Sequence, residues 1–236
     1  MKKKIGKDIK NRVKKFSKSI KNKKSKKSMK NSEKQIKDKN GTYQRFINNK
    51  ILNNCRRPHR KDWCGPTTVA EIVQILTGRD YTVDQIAEIN DWTPEIITGG
   101  KLGTKSIIKG VSKCSDRIVA EELAISDDLN SWNKLKESLS NRDRVIYYHE
   151  PGHHLLLCGF IEEPLIDRQD IWNHQNIGRV SDYEATRRWL IKAEHNVKKE
   201  EYIDQGVLVP VEFSTVCKNL DEKDNLFSFH LGGARG

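Results

Sequence analysis

Long apolar runs are what this chain most lacks. No stretch approaches the roughly 18 apolar residues needed to span a bilayer, and the basic N-terminal segment is not followed by the apolar core of a secretory leader. Cysteine is scarce and scattered. Cys55, Cys64, Cys114, Cys158 and Cys217 are an odd set without regular spacing, which excludes a disulfide framework and points to a reducing compartment. The expected location is the cytoplasm, a virion, or a target cell entered as a delivered effector. No Cys-x-x-Cys or His-x-x-x-His pair stands where a knuckle or helix would hold zinc, so neither metal nor cofactor is expected. No internal repeat is visible.

Acidic residues are nearly missing from the first 39 positions, where Asp8, Glu33 and Asp38 face eighteen Lys and Arg, a local charge of +15. The whole chain carries +12, so residues 40–236 hold about −3. A break this sharp predicts a basic tail over 1–40 and one domain over 41–236. Ile5, Ile9, Val13, Phe16 and Ile20 recur at steps of three and four, which predicts an amphipathic helix over about 5–20. Such a helix cannot fold alone. Its partner is expected to be nucleic acid, an anionic membrane surface or an apolar groove on another protein; the plain alternative is a solvated tail. Lys21 to Lys39 has almost no apolar content and is expected to be disordered.

The remainder is long enough for one sizeable core. Its most informative stretch is Asp62-Trp63-Cys64-Gly65-Pro66-Thr67-Thr68. Val69, Ile72, Val73 and Leu76 follow at helical spacing, predicting a helix packed along one face. Pro66 suits its first turn, because the fixed φ is helical and the missing N–H would be unpaired there. Cys64 then lies where free N–H groups and the helix dipole favour a thiolate. That makes it a candidate nucleophile.

A base is available about ninety residues later. Arg144 to His149 reads as a buried strand, Pro151-Gly152 as a turn, and His153 to Phe160 as the returning strand. Alternation along that strand points His153 and His154 to opposite faces. Asp170-Ile171-Trp172-Asn173-His174 reads as a third short strand with a polar group able to orient an imidazole.

Cys64-Gly65-Pro66-Thr67-Thr68 and Gly152-His153-His154-Leu155-Leu156-Leu157-Cys158-Gly159-Phe160, in this order, resemble the papain-like cysteine peptidases. Within them the words look most like the bacteriocin-processing (double-glycine) peptidases, over about residues 50–195. The resemblance implies a thiol-dependent peptidase acting on a protein or peptide, with a Cys-His-Asn/Asp triad. Its six-residue step from His to Gly selects His153 as the base, leaving His154 and Cys158 to packing on the other face. Asn173 is the implied orienter, with Asp170 as alternative. Relatives carry a Gln upstream of the Cys to bind the oxyanion. None stands within ten residues here, so Asn53 and Asn54 are the candidates, with Gln44 more distant. Competing functions are a peptidoglycan amidase or endopeptidase, a delivered effector, and a catalytically silent structural protein anchored by its tail. The terminal Gly232-Gly233 also raises self-processing after Gly233.

The expected architecture is α+β, with N-terminal helices packed on an antiparallel sheet. Thr82 caps a helix over 83–89, Gly103-Thr104 opens another, and residues 131–141 form a third with Trp132, Leu135 and Leu139 inward. Strands are expected at 144–149, 153–161 and 169–173, and a helix over 182–195 burying Tyr183, Trp189, Leu190 and Ala193. Residues 206–211 read as a last strand, at an edge because of Pro210.

Overall fold

The computed structural model describes residues 44–54, 62–150, 152–164, 186–194, 207–221 and 226–233. In chain order the elements are β1 (Gln44–Ile47), α1 (Asn49–Asn54), α2 (Cys64–Thr77), α3 (Val83–Ile89), α4 (Pro94–Thr98), α5 (Thr104–Cys114), β2 (Ile118–Glu122), α6 (Leu129–Ser140), β3 (Arg144–Glu150), β4 (His153–Pro164), β5 (Thr186–Glu194), β6 (Val207–Glu212), α7 (Phe213–Asp221) and β7 (Leu226–Leu231). The fold is α+β, and every strand pairing in the described sheet is antiparallel.

The spatial order is β2-β7-β3-β4-β5-β6, with β1 paired to β4. β4 is the hub. Its first half pairs with β3 and its second half with β1, while β5 runs along the other edge. β1 therefore takes over where β3 ends. Asn48 N–H donates to the Cys158 carbonyl at 2.7 Å at the junction.

Side-chain alternation divides the core between the two faces of the sheet. On one, Val145, Tyr147, Leu156, Cys158, Ile191 and Ala193 pack with Val69, Ile72 and Val73 of α2 and with Ile107 and Val111 of α5. On the other, Ile146, Tyr148, Leu155, Leu157 and Leu190 pack with Trp132, Leu135 and Leu139 of α6 and Phe213 and Val216 of α7. Helices thus cover both faces of the sheet. A register shift between Leu157 and Gly159 turns β4 over, so Phe160 faces α6 and Ile161 faces α2.

Two expectations need correction. The residues expected as a helix over 182–195 form β5 in their described part. Arg188, Leu190 and Lys192 point to the α6 face, while Ile191 and Ala193 point to the α2 face. A strand covered on both sides loses its polar alternation, and Trp189, Leu190 and Ala193 then mimic a helical stripe. The α2 helix is buried not along one stripe but almost all round, with only Gln74 and Thr77 partly exposed. The sheet, α1, α3 and α5 surround it.

Other local readings match the structure. Thr82 and Gln85 close a reciprocal capping box on α3, at 3.1 and 2.8 Å. Trp132, Leu135 and Leu139 are buried on α6. β6 lies at a sheet edge with Pro210 opposite Ile191. It is not the last strand, because β7 follows and inserts between β2 and β3. The tail 1–43, and with it the helix expected over 5–20, lies outside the described residues, as does the strand expected at 169–173. No helix among the described residues is long and apolar enough to cross a membrane.

Candidate active site

The chain enters α2 through Asp62, whose φ of 67° is a left-handed turn that Asp tolerates better than most residues. Trp63 is the N-cap, and it offers no side-chain hydrogen bond to the first turn. Pro66 removes one donor from that turn, and Thr67 closes back on the Trp63 carbonyl through both its N–H and its hydroxyl. Cys64, the first helical residue, is free of disulfides and 6 % exposed.

Gly65 shows what surrounds this turn. A Cβ there would stand 3.0 Å from Leu102 Cδ1, 3.4 Å from Ile107 Cδ1 and 3.5 Å from His154 Cδ2. Glycine suits this position because α5, the loop before it and β4 all close on the residue after Cys64. The imidazole against the Cys64 turn is therefore that of His154.

His154 is 5 % exposed and held at both ring nitrogens. Nδ1 lies 2.8 Å from the Tyr147 hydroxyl and Nε2 lies 2.9 Å from the Leu102 carbonyl oxygen. A carbonyl oxygen can only accept. In the neutral ring, Nε2 thus carries the proton and Nδ1 accepts from Tyr147. His149 stacks on His154 with ring centres 4.6 Å apart, and Tyr147 is near parallel at 6.0 Å. Burial holds the His149 imidazole below its usual range; the neighbouring His153 adds to this and Glu150 opposes it.

His153, which the family spacing selects, pairs with Glu150 across the hairpin. Alternation assigns it to the α6 face, with Leu155 and Leu157, rather than to the α2 face that holds Cys64. It is 7 % exposed. On the same face Lys192 Nζ holds both Glu150 oxygens at 2.8 Å. Asn173 and Asp170 lie outside the described residues.

The expected oxyanion donors lie on α1. Asn54 turns its amide back onto the Lys50 carbonyl at 2.6 Å, and Asn53 is exposed. Gln44 begins β1 opposite Glu162, remote in the sheet from the β3–β4 turn. Cys158 packs on the α2 face and its Sγ–H donates to the Ile191 carbonyl at 3.4 Å; burial pushes its thiol up to about 12. Gly159, the glycine of the family-like word, has a plain physical reason. A Cβ there would lie 2.3 Å from the Phe46 carbonyl oxygen, so only glycine lets β1 approach β4 this closely.

Leu231, just before Gly232-Gly233, shares a cavity of about 340 Å³ with His230, Leu76, Lys50 and Arg144. Leu76 closes the far end of α2, twelve residues or ~18 Å from Cys64 at 1.5 Å per residue. That cavity is therefore not at the thiol, and Leu231, next to the diglycine, lines it beside Leu76. Among the described residues, no three His, Cys, Asp or Glu side chains gather to hold a metal ion.

Two partners of the site were not foreseen. Tyr147 was legible by counting back across the hairpin: if His149 faces His154, then Tyr147 is its diagonal neighbour on the same face. Leu102 gave no such signal, since it comes from an irregular segment.

No protein-family model matches the chain. Comparison with curated protein sequences finds no match. Among solved structures, the chain is similar to the peptidase domain of Streptococcus ComA, a bi-functional ABC transporter involved in a quorum-sensing pathway. The identity is 8 % and the TM-score 0.36, over 76 % of this chain and 98 % of that one. A likeness this distant establishes no shared chemistry.

Proposed function

We propose that the protein is a thiol-dependent amide hydrolase of the papain-like kind, with Cys64 as nucleophile. The observation that carries this reading is the contact of a helix-initiating cysteine turn with a buried imidazole that is itself held by a tyrosine hydroxyl. In the proposed reaction the Cys64 sulfur attacks the substrate carbonyl and its proton passes to His154. The tetrahedral oxyanion is met by the Cys64 N–H at the uncapped helix start, with the exposed Asn53 amide as second donor. His154 returns the proton to the leaving amine as the C–N bond breaks. Water then cleaves the thioester, giving a carboxylate and restoring the thiol.

In this reading the base is His154 rather than His153, which is supported by the closeness of His154 to the Cys64 turn. Tyr147 takes the orienting role that the family resemblance gives to Asn173 or Asp170. The substrate class is a protein or peptide, and any processing at Gly233 acts between chains. The test is a mixed peptide library incubated with the full chain and with Cys64→Ala, read by mass spectrometry. Cleavages made by the wild type and absent with Cys64→Ala are expected. Cleavage that survives loss of the thiol, or no cleavage by either the wild type or Leu102→Ala, whose shortened side chain no longer presses on the Cys64 turn, removes the hydrolase reading. A silent interaction protein would then be favoured, since the Leu102 carbonyl already occupies His154.

A further inference from the structure

We infer that the segment Gly99-Gly100-Lys101-Leu102-Gly103 is a strap that holds the Cys64 site shut and must lift before the site can act. The inference rests on the hydrolase reading and adds its regulation.

Three contacts define the closed state. The Leu102 side chain presses on the Cys64 turn at Gly65 and is 7 % exposed. Its carbonyl oxygen accepts from His154 Nε2 at 2.9 Å. Cys64 beneath is itself only 6 % exposed. The consequence for the chemistry is specific. While Leu102 holds the proton on Nε2, and Tyr147 donates to Nδ1, neither nitrogen of the neutral ring can take the proton of a thiol. Lifting the strap frees Nε2. The proton can then sit on Nδ1 and be donated to the Tyr147 oxygen, which leaves the Nε2 lone pair for Cys64.

The strap is built to move. Gly100 has φ of 65°, a conformation other residues adopt at a cost, and no atom lies within 4 Å of where its Cβ would be. The anchor is also shallow. Leu102 belongs not to the two cores that clasp the sheet but to a small cluster with Trp63, Val83, Ala87 and Ile97. Small clusters under loops open at lower free energy than the main core. Closure is imperfect as well, because the buried Thr104 hydroxyl at the end of the strap has no hydrogen-bond partner among the described residues.

The experiment compares iodoacetamide labelling of Cys64 in the full chain with that in Leu102→Ala and Gly100→Ala, with Cys114, Cys158 and Cys217 as internal reporters of general loosening. Leu102→Ala is expected to raise Cys64 labelling on the order of tenfold or more, since one buried leucine anchors the closed state. Gly100→Ala, which strains only the closed backbone, is expected to raise it roughly five- to tenfold. The three reporters should keep their wild-type rates. Cys64 rates unchanged in both variants, or a rise shared by Cys64 and the three reporters, would overturn the strap. Failure of the hydrolase reading is a separate result: Cys64 freed by Leu102→Ala labels faster, yet its rate is insensitive to His154→Ala and no peptide is cleaved.

Discussion

Replacing Gly159 by alanine tests the junction on which the sheet depends. The added Cβ would fall 2.3 Å from the Phe46 carbonyl oxygen and 3.1 Å from Ile47 Cα. Both neighbours are backbone, so no side chain can swing aside. To restore ordinary contact, β1 must move by most of an ångström. It is held at Arg45↔Ile161, Phe46↔Phe160 and Ile47↔Gly159, and by the 2.7 Å bond from Asn48 to Cys158. Phe46 is 3 % and Ile47 7 % exposed, and Phe46 stacks on Phe160 at 5.7 Å. Full exposure of two such side chains costs about 3–6 kcal/mol. Each lost backbone bond adds about 1 kcal/mol. Partial relaxation leaves an expected loss of about 3 kcal/mol, a large share of a typical 5–15 kcal/mol. That corresponds to a fall in Tm of roughly 6–12 °C for a domain of this size. Urea and thermal unfolding of wild type and Gly159→Ala measure it, with Gly233→Ala, where a Cβ meets open space, expected within about 0.5 kcal/mol of wild type. A Gly159→Ala loss below about 0.5 kcal/mol would refute the close approach of β1 to β4.

Acidification should act through His149. Its folded-state affinity for a proton is held below the ordinary value of 6.5, first by burial and then by His153. The unfolded chain therefore binds the proton more readily, and stability, complete above pH 6.5, falls as the pH drops below it. His149→Gln should flatten that decline in urea midpoints measured between pH 7.5 and 5.5; an unchanged slope contradicts the assignment. Cys158, with its thiol pushed up to about 12, should remain unlabelled by iodoacetamide at pH 8.5 in the native state, and appreciable native labelling would show the α2 face to be open. Thr82→Ala removes the hydroxyl that accepts from the Gln85 N–H, the side-chain half of the α3 capping box, and should cost about 1 kcal/mol in urea unfolding, with no loss indicating that the helix start is not held by this hydroxyl.

Where local chemistry decided the structure, the sequence was readable. Pro66 and the apolar spacing mark α2, Thr82 and Gln85 mark α3, and Gly152, with φ of 74°, marks the hairpin of β3 and β4. Where long-range pairing decided it, the sequence was not. β7 lies between β2 and β3, about 80 residues away from the latter in sequence, and its six residues carry no local sign of that place. β5 read as a helix because burial on both faces erased its alternation. The short β1 and β2 were missed because four or five residues give too little pattern. At the candidate site, Cys64 and the histidine pair were legible as chemistry. Which imidazole lies against the Cys64 turn depends on sheet register, which a motif spacing alone does not reveal. Leu102 could not be foreseen, since nothing in Gly99 to Gly103 says which helix it will close upon.

The pairing of Cys64 with His154 is tested most directly by the rate of Cys64 alkylation at neutral pH in Leu102→Ala, alone and combined with His154→Ala or His153→Ala. An imidazole that takes the thiol proton speeds alkylation, so adding His154→Ala should slow it and adding His153→Ala should leave it in place. If His153→Ala slows the labelling while His154→Ala preserves it, the assignment from sheet alternation is wrong. If neither substitution changes the rate, Cys64 has no imidazole partner and is not the nucleophile of a hydrolase.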